Sequence, residues 1–266
     1  MDTFTVSGPD ISTAWIRACR ALDRIPTHRA YHTTVHIDDP THDDPGVRAE
    51  LDRILESKGK QPVRTIANTI FPAALARTTD GHVALTDRYK TLYPSLKRMH
   101  RGNRRGTYFG RLIDYPGANG SIDQIAAVIR RLQQQMDTSG PKTACYEADL
   151  VDPATDLDAE PTTAAVPVIA PGIDNSTMSF PCLSHCSFQL DRAGQLHLVA
   201  LYRSHYMVER AYGNYVGLGE LMAYIAHVTG LRVGVLTVVA GYAQLDSDCI
   251  TRIRPLLAGA TPLLAA

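Results

Sequence analysis

The residues best suited to covalent chemistry lie between Phe180 and Asp246. Cys182 follows Pro181 and opens a run in which Cys182, Ser184, Cys186, Phe188 and Leu190 alternate, the period-two signature of one strand face. This predicts a thiol at a strand end, facing a cleft. Such a thiol becomes a nucleophile once a nearby cation lowers its pKa. Arg203, on the strand that returns from a turn at Gly194, supplies that cation and a fork for phosphate oxygens, with Ser204 as a further donor. Asn214 stands just before a helical pattern, where its amide either caps the helix or reads a donor–acceptor edge on a ligand. Gly213 before it leaves room for a ligand to approach the backbone. The competing reading of Cys182 is a small buried hydrophobe, the usual fate of a free cysteine.

The elements that must position these groups are legible in outline. Asp10 starts a helix through Ala21, Ala30 to Ile37 alternates as a strand, and Pro45 to Leu55 forms a second helix with proline at its first position. Val63 to Pro72 is mostly apolar and expected to be buried, with Arg64 and Asn68 as polar exceptions, either of which could reach a cleft. Leu85 to Met99 has helical spacing interrupted by Pro94, and then turns basic. That basic run is a solvated face or a source of a phosphate-binding arginine, with Arg105 and Arg111 the candidates because they neighbour Gly106 and Gly110. Ser121 to Met136 is an amphipathic helix with Ser121 as its N-cap. Residues 149–179, rich in acid and proline, form a long loop or insertion. Leu196 to Tyr202 returns antiparallel, Val216 to Val228 is a helix in which Gly217 and Gly219 permit close packing, and Leu231 to Ala240 is a strand buried on both faces. The pattern is α+β, with helices on one face of a mostly antiparallel or mixed sheet.

Composition narrows the function classes. With 266 residues and 44% hydrophobic content the chain forms one domain over 1–266, with an elaborated N-terminal part over about 1–105. Lys plus Arg and Asp plus Glu number 27 each, so no global field draws it to nucleic acid or an anionic membrane, and a small ligand is expected. No run approaches a membrane span, residues 1–10 lack the features of a signal peptide, and a cytoplasmic location is expected. The five cysteines contain no CxxC pair, which argues for free thiols. His28, His32 and His36 recur at a spacing of four, with His42 six residues on, but on a β-branched segment they do not converge, so no metal is expected.

Pro181-Cys182, Arg203-Ser204 and Asn214 together resemble the nucleophile, the phosphate-binding pair and the pyrimidine-reading asparagine of thymidylate synthase and its pyrimidine hydroxymethylase relatives. The resemblance extends upstream through Tyr108-Phe109-Gly110-Arg111 and Ile122-Asp123-Gln124-Ile125. Its register has two solutions. Anchoring on Phe188-Gln189 puts Ser184-His185 at the family's Cys-His, whereas anchoring on Pro181-Cys182 needs one extra residue, expected in the turn from Asp191 to Gly194 because turns absorb insertions more readily than strands. Cys182 is taken as the nucleophile.

The resemblance implies a homodimer, a pyrimidine nucleotide substrate and 5,10-methylenetetrahydrofolate as cofactor. It also has gaps. The family's paired arginines fall on Pro141-Lys142, its sugar-binding His-x-Tyr on Gln244 and Asp246, its folate-contacting Asp on Tyr206, and the His after its cysteine on Leu183, while Trp15 is the one tryptophan. Gln244 and Asp246, two apart on a strand end, would point the same way toward a sugar, the carboxylate favouring ribose. Two functions follow from different classes. One is folate-dependent transfer of a one-carbon unit to carbon-5 of a pyrimidine nucleotide, with hydroxymethyl favoured over methyl. The other is a non-catalytic nucleotide-binding homologue acting as a sensor or partner subunit.

Overall fold

The computed structural model describes residues 1–99, 103, 106–117, 120–136, 165–168 and 182–259. Their main sheet contains β1 (Thr5–Asp10), β2 (Arg29–Asp39), β5 (Ala165–Pro167), β6 (Leu183–Leu190), β7 (Gln195–Tyr202), β8 (His205–Tyr206) and β9 (Arg232–Gln244), while β3 (Tyr115–Gly117) and β4 (Gly120–Ile122) form a separate hairpin. The strand order is β1-β2-β9-β7-β6-β5, with β8 also paired to β9. β9 runs antiparallel to β2 and parallel to β7 and β8, so the sheet is mixed as expected. Ala165–Pro167 pairs with β6, so this part of the expected long loop is a strand; apart from Val168, the rest of 149–179 lies outside the described residues.

The helices are α1 (Ile11–Asp23), α2 (Pro45–Glu56), α3 (Val63–Ile70), α4 (Ala73–Ala76), α5 (Gly81–Met99), α6 (Tyr108–Ile113), α7 (Gln124–Met136), α8 (Tyr212–Thr229) and α9 (Ile250–Gly259). Asp10 caps α1 by accepting from the Thr13 amide at 2.8 Å. Ser121 does not cap α7: it belongs to β4, and Asp123 accepts from the Ala126 amide at 2.9 Å instead. α5 continues through Pro94. α1 and α8 lie against the sheet, whose other face is half-exposed among the described residues. β9 is accordingly buried on one face, where Leu236, Val238 and Ala240 point, while Val235, Thr237 and Val239 are partly open. The expectation of two buried faces fails because a continuous apolar run does not reveal how many layers cover it. No helix among the described residues is long and apolar enough to cross a membrane.

α8 is buried along most of its length and depends on glycines to approach its neighbours. A Cβ on Gly213 would lie 2.6 Å from the Ile66 Cβ of α3, and one on Gly217 2.7 Å from the Ala67 carbonyl oxygen. Gly213 therefore packs against a helix instead of leaving space for a ligand. Arg64 of α3 is committed to an ion pair with Glu220 of α8.

The sheet departs from strict alternation at one level. Thr33, Ala240, Tyr202 and Leu183 form one buried row across β2, β9, β7 and β6, and Ala30, Ala243 and His205 form the next across β2, β9 and β8. Between these rows two consecutive residues face away from the helices: Tyr31-His32, Gly241-Tyr242 and Arg203-Ser204. The double step turns His205 back under α8 while leaving Arg203 outside. His32 takes a left-handed φ of 50°, uncommon for a non-glycine residue.

Gly219 tests the packing of α8. Its Cβ would stand 1.8 Å from the carbonyl oxygen of Pro40, a backbone atom that cannot swing aside. Gly219→Ala is expected to destabilise the fold by about 2 kcal/mol or more, and an unchanged urea midpoint would show that the segment at Pro40 yields freely.

Candidate functional site

Cys182 stands immediately before β6, and its carbonyl accepts the Arg203 amide at 2.8 Å. The chain therefore brings the thiol-bearing residue beside the end of β7. Leu183 pairs with Tyr202 and His185 with Leu201, so the strand pairing slips at Ser184, a bulge within β6. The predicted face of Cys182, Ser184 and Cys186 is broken by this slip: Leu183, Cys186 and Phe188 are buried, while Ser184 donates to the Leu201 carbonyl at 2.9 Å. Pro181 lies outside the described residues.

Burial raises the Cys182 thiol above its usual pKa, and the positive charges of Arg203 and then Arg210 oppose that rise. The sequence reading foresaw one cation lowering the thiol; the structure supplies two, and burial outweighs both. Arg210 lies on a π-helical turn, Met207–Ala211, between β8 and α8, and pairs with Glu209 at 2.9 Å. Tyr108, quoted in the upstream motif but not singled out, also reaches this point. Its phenol receives hydrogen bonds from the Leu183 and Cys182 backbone, and burial pushes its pKa to about 12.

Behind the thiol lies a buried polar cluster. The ring of His205 stacks on Tyr202 with centroids 4.2 Å apart and planes 9° from parallel, and meets Tyr215 edge-on at 5.6 Å. Its Nε2 lies 3.0 Å from Nδ2 of Asn214. Burial lowers the His205 pKa to about 3, so the imidazole is neutral and accepts from the amide. Asn214 is the third residue of α8, inside the helix and not a cap. Among the described residues its Oδ1, the Tyr202 hydroxyl and the Tyr215 hydroxyl are buried without hydrogen-bond partners. Each such orphan costs roughly 1–3 kcal/mol, and three in one cluster fit a place prepared for polar ligand atoms. His205 escaped the sequence reading because its role depends on the outward double step at Arg203-Ser204.

The remaining candidates separate. Tyr206 is 42% exposed and pairs with Gln244 across β8 and β9, presenting an aromatic face near the strand ends. The Gln244 side chain accepts from the Tyr242 hydroxyl at 3.1 Å. Asp246 does not share its direction: β9 ends at Gln244, and the Asp246 carboxylate turns inward to accept the Val208 amide at 2.9 Å and the Glu209 amide at 3.4 Å. It caps the π-helical turn, so the expected sugar-facing pair is not formed. Arg111 donates to the Val168 carbonyl at 3.4 Å; Arg105, like Pro141-Lys142, lies outside the described residues. Trp15 is fully buried, donates to the Met207 carbonyl at 2.6 Å and meets Tyr212 edge-on, so it is a core residue with no face for a cofactor. His36 bonds Thr237 and His42 bonds Asp39, and no group of three or more His, Cys, Asp or Glu suited to a metal ion occurs among the described residues.

No protein-family model matches the sequence. The chain is similar to proteins named "Putative thymidylate synthase" from Methanosarcina barkeri and Methanosarcina mazei, each 27% identical over 152 residues that cover 55% of this chain and 57% of the relative. A protein of the same name from Methanococcoides burtonii is 26% identical over 153 residues, 58% of each chain. The chain thus spans a little over half the length of the curated relatives it matches. These similarities support a divergent thymidylate synthase-like family.

Two measurements test the electrostatics without any assay of turnover. Arg203→Ala and Arg210→Ala should each raise the Cys182 pKa further and slow its alkylation by iodoacetamide at pH 8 by roughly 3–10-fold, followed by peptide mass mapping; unchanged rates would remove the arginines from the thiol. Asp246 is the second case. Burial raises its pKa from 3.8 to about 6. The native state therefore holds a proton that the unfolded chain has released between those values. Its favourable contribution is complete below the unfolded value and is lost as pH rises through about 6. The stability of wild type relative to Asp246→Asn should accordingly fall by on the order of 2–3 kcal/mol between pH 4 and 7 in urea titrations, whereas a flat difference would mean that the carboxylate titrates normally.

Proposed function

We propose that this chain transfers a one-carbon unit to carbon-5 of a pyrimidine nucleotide through a covalent adduct on Cys182, with a hydroxymethyl product favoured over methyl. The observation that carries the reading is the Cys182 thiol under the charges of Arg203 and Arg210, acting also on Tyr202, whose ring stacks on the His205 that bonds Asn214. The names of the archaeal relatives support the thymidylate synthase-like class.

Carbon-5 of a pyrimidine becomes nucleophilic only after addition at carbon-6. The Cys182 sulfur forms that bond as its proton leaves, and the ring electrons move toward carbon-5 and the neighbouring carbonyl. Arg203 opposes the cost of the thiolate and, with Ser204, holds the phosphate. Asn214 donates to the ring carbonyl and accepts from the ring N–H. Carbon-5 would then bond to the one-carbon unit that a bound folate supplies, with the folate nitrogen leaving with the electron pair of its carbon–nitrogen bond; loss of the carbon-5 proton, addition of water to the exocyclic methylene and departure of the sulfur would restore the ring.

Methylenetetrahydrofolate, when bound, supplies carbon at the formaldehyde level. The half-exposed Tyr206 ring fits a flat heterocycle and would hold it, with Gln244 beside it as a polar contact. The chain has no tryptophan face to add to that stack, since Trp15 is in the core. Weaker exclusion of water supports hydration, hence the hydroxymethyl product. A homodimer is part of the reading: the open sheet face, with Val199, Leu201, Val235 and Val239, offers an apolar surface to a second copy.

A second reading, a non-catalytic nucleotide-binding homologue serving as sensor or partner subunit, draws support from the raised thiol pKa. Incubation with 5-fluoro-dUMP and methylenetetrahydrofolate separates the two. Intact mass should show a ternary covalent adduct on wild type and none on Cys182→Ser, which keeps the fold. With a uracil nucleotide, the product should gain the mass of formaldehyde and the folate should leave as tetrahydrofolate. Dihydrofolate with a 5-methyl product would reverse the product assignment, and no adduct on wild type would favour the second reading. Adduct loss in Ser184→Ala but not in Cys182→Ser would move the nucleophile to the other register.

A further inference from the structure

His205 has no place in the chemistry described above, yet it is the one group hydrogen-bonded to the Asn214 side chain among the described residues. It is 2% exposed, held flat against Tyr202 and edge-on to Tyr215, so its ring cannot swing. A carboxamide by itself is a reversible reader. Turning it by 180° exchanges its donor and its acceptor at little cost unless something fixes one end.

The two pyrimidine edges call for opposite settings of that amide. Uracil presents a carbonyl acceptor at carbon-4 beside a ring N–H donor, and is met by an amide N–H opposite the carbonyl and an amide oxygen opposite the N–H. Cytosine presents an amino donor at carbon-4 beside an unprotonated ring nitrogen, and requires the same amide turned over. In this chain the amide nitrogen gives one hydrogen to Nε2 of His205 and keeps the other, while Oδ1 is directed away from His205 and is buried without a partner among the described residues. With the ring proton on Nδ1, as an N–H donor facing Nε2 requires, reversing the amide would set its oxygen against the unprotonated Nε2, acceptor against acceptor.

We propose that His205 is a positioning residue that locks the Asn214 amide in one orientation, and thereby makes the site select uracil-type over cytosine-type nucleotides. This rests on the reading of Asn214 as the base-contacting residue. The selectivity then resides in a hydrogen bond one step removed from the ligand. Without it the amide turns to suit either base, and discrimination falls while binding of the nucleotide persists.

The test is a thermal-shift titration of the full chain with UMP, dUMP, CMP and dCMP, comparing wild type, His205→Phe and His205→Gln. Phenylalanine keeps a flat ring for the Tyr202 stack but removes the acceptor, whereas the glutamine carbonyl restores an acceptor near the position of Nε2. Wild type is expected to favour uracil nucleotides by at least about tenfold. His205→Phe should bring the ratio to within about threefold, and His205→Gln should recover the preference. A general loosening of the fold would weaken both bases alike and leave the ratio unchanged. Wild type that binds none of the four nucleotides would defeat the nucleotide reading of the site, and this inference with it. Nucleotide binding without base preference in wild type, or an unchanged ratio in His205→Phe, would leave that reading standing and overturn the role of His205. Should His205→Phe not fold, the long-range 1H–15N spectrum of wild type decides at pH 7: a His205 protonated on Nδ1 alone is the expected state, and an Nε2-protonated ring would reverse the amide and overturn the proposal.

Discussion

The double outward step across β2, β9 and the β7–β8 junction is the constraint on which the site depends. A strand that alternates without interruption would place Arg203 outward and Ser204 under the helices. Here Arg203 and Ser204 both face out, and His205 is the residue that returns to the buried row with Ala30 and Ala243. The step is shared by adjacent strands, so the paired rows on either side remain in register. Its local cost is visible at His32, with its left-handed φ, and is eased at Gly241, where a Cβ would come within 3.3 Å of the Arg203 carbonyl oxygen. On β6 the compensating irregularity is the bulge at Ser184, which releases Cys182 from the buried face that Leu183 occupies.

Two environments thus meet at Cys182. On one side are cations and partly open strand ends; on the other is a buried set of rings and amides that excludes water. The thiol feels both, since burial lifts its pKa while Arg203 and Arg210 pull it down. The polar groups behind it are kept neutral by the same burial: His205 is far too acidic to carry a proton, and the Tyr202 phenol is held well above its usual range. A neutral, rigid lining favours recognition by hydrogen-bond pattern over recognition by charge, while the charge needed for an anion is confined to the arginines.

Much of this arrangement can be read from the residues, and what cannot has identifiable causes. Asp10, Pro45 and the apolar stripe of α1 announce their helices because capping and periodicity are local. The pairing of β6 with β7 follows from two alternating runs around Gly194. The bulge at Ser184 is not local: period-two reasoning carries Cys182 onto the face of Cys186, and only pairing with Tyr202 and Leu201 shows the slip. Gly213 reads as open space and Asp246 as a free carboxylate for the same reason, namely that the helix α3 filling the one and the amides of Val208 and Glu209 engaging the other come from distant or folded-back chain. Burial of β9 on one face instead of two depends on how many layers the fold has, which no strand records.

The π-helical turn links the core to the thiol. Met207–Ala211 inserts between β8 and α8 and begins with amides that Asp246 accepts from inside the core. Glu209 on this turn pairs with Lys60 at 3.0 Å and with Arg210 at 2.9 Å, and the charge of Arg210 acts on Cys182 and Tyr108. Arg203 reaches the thiol from the sheet, and Arg210 reaches it from this turn. Two guanidinium groups of a single chain consequently bear on the same thiol, one fixed by strand pairing and the other by a buried cap. The anchoring of the second through Asp246 makes the electrostatics of the site answerable to a carboxylate that never faces it.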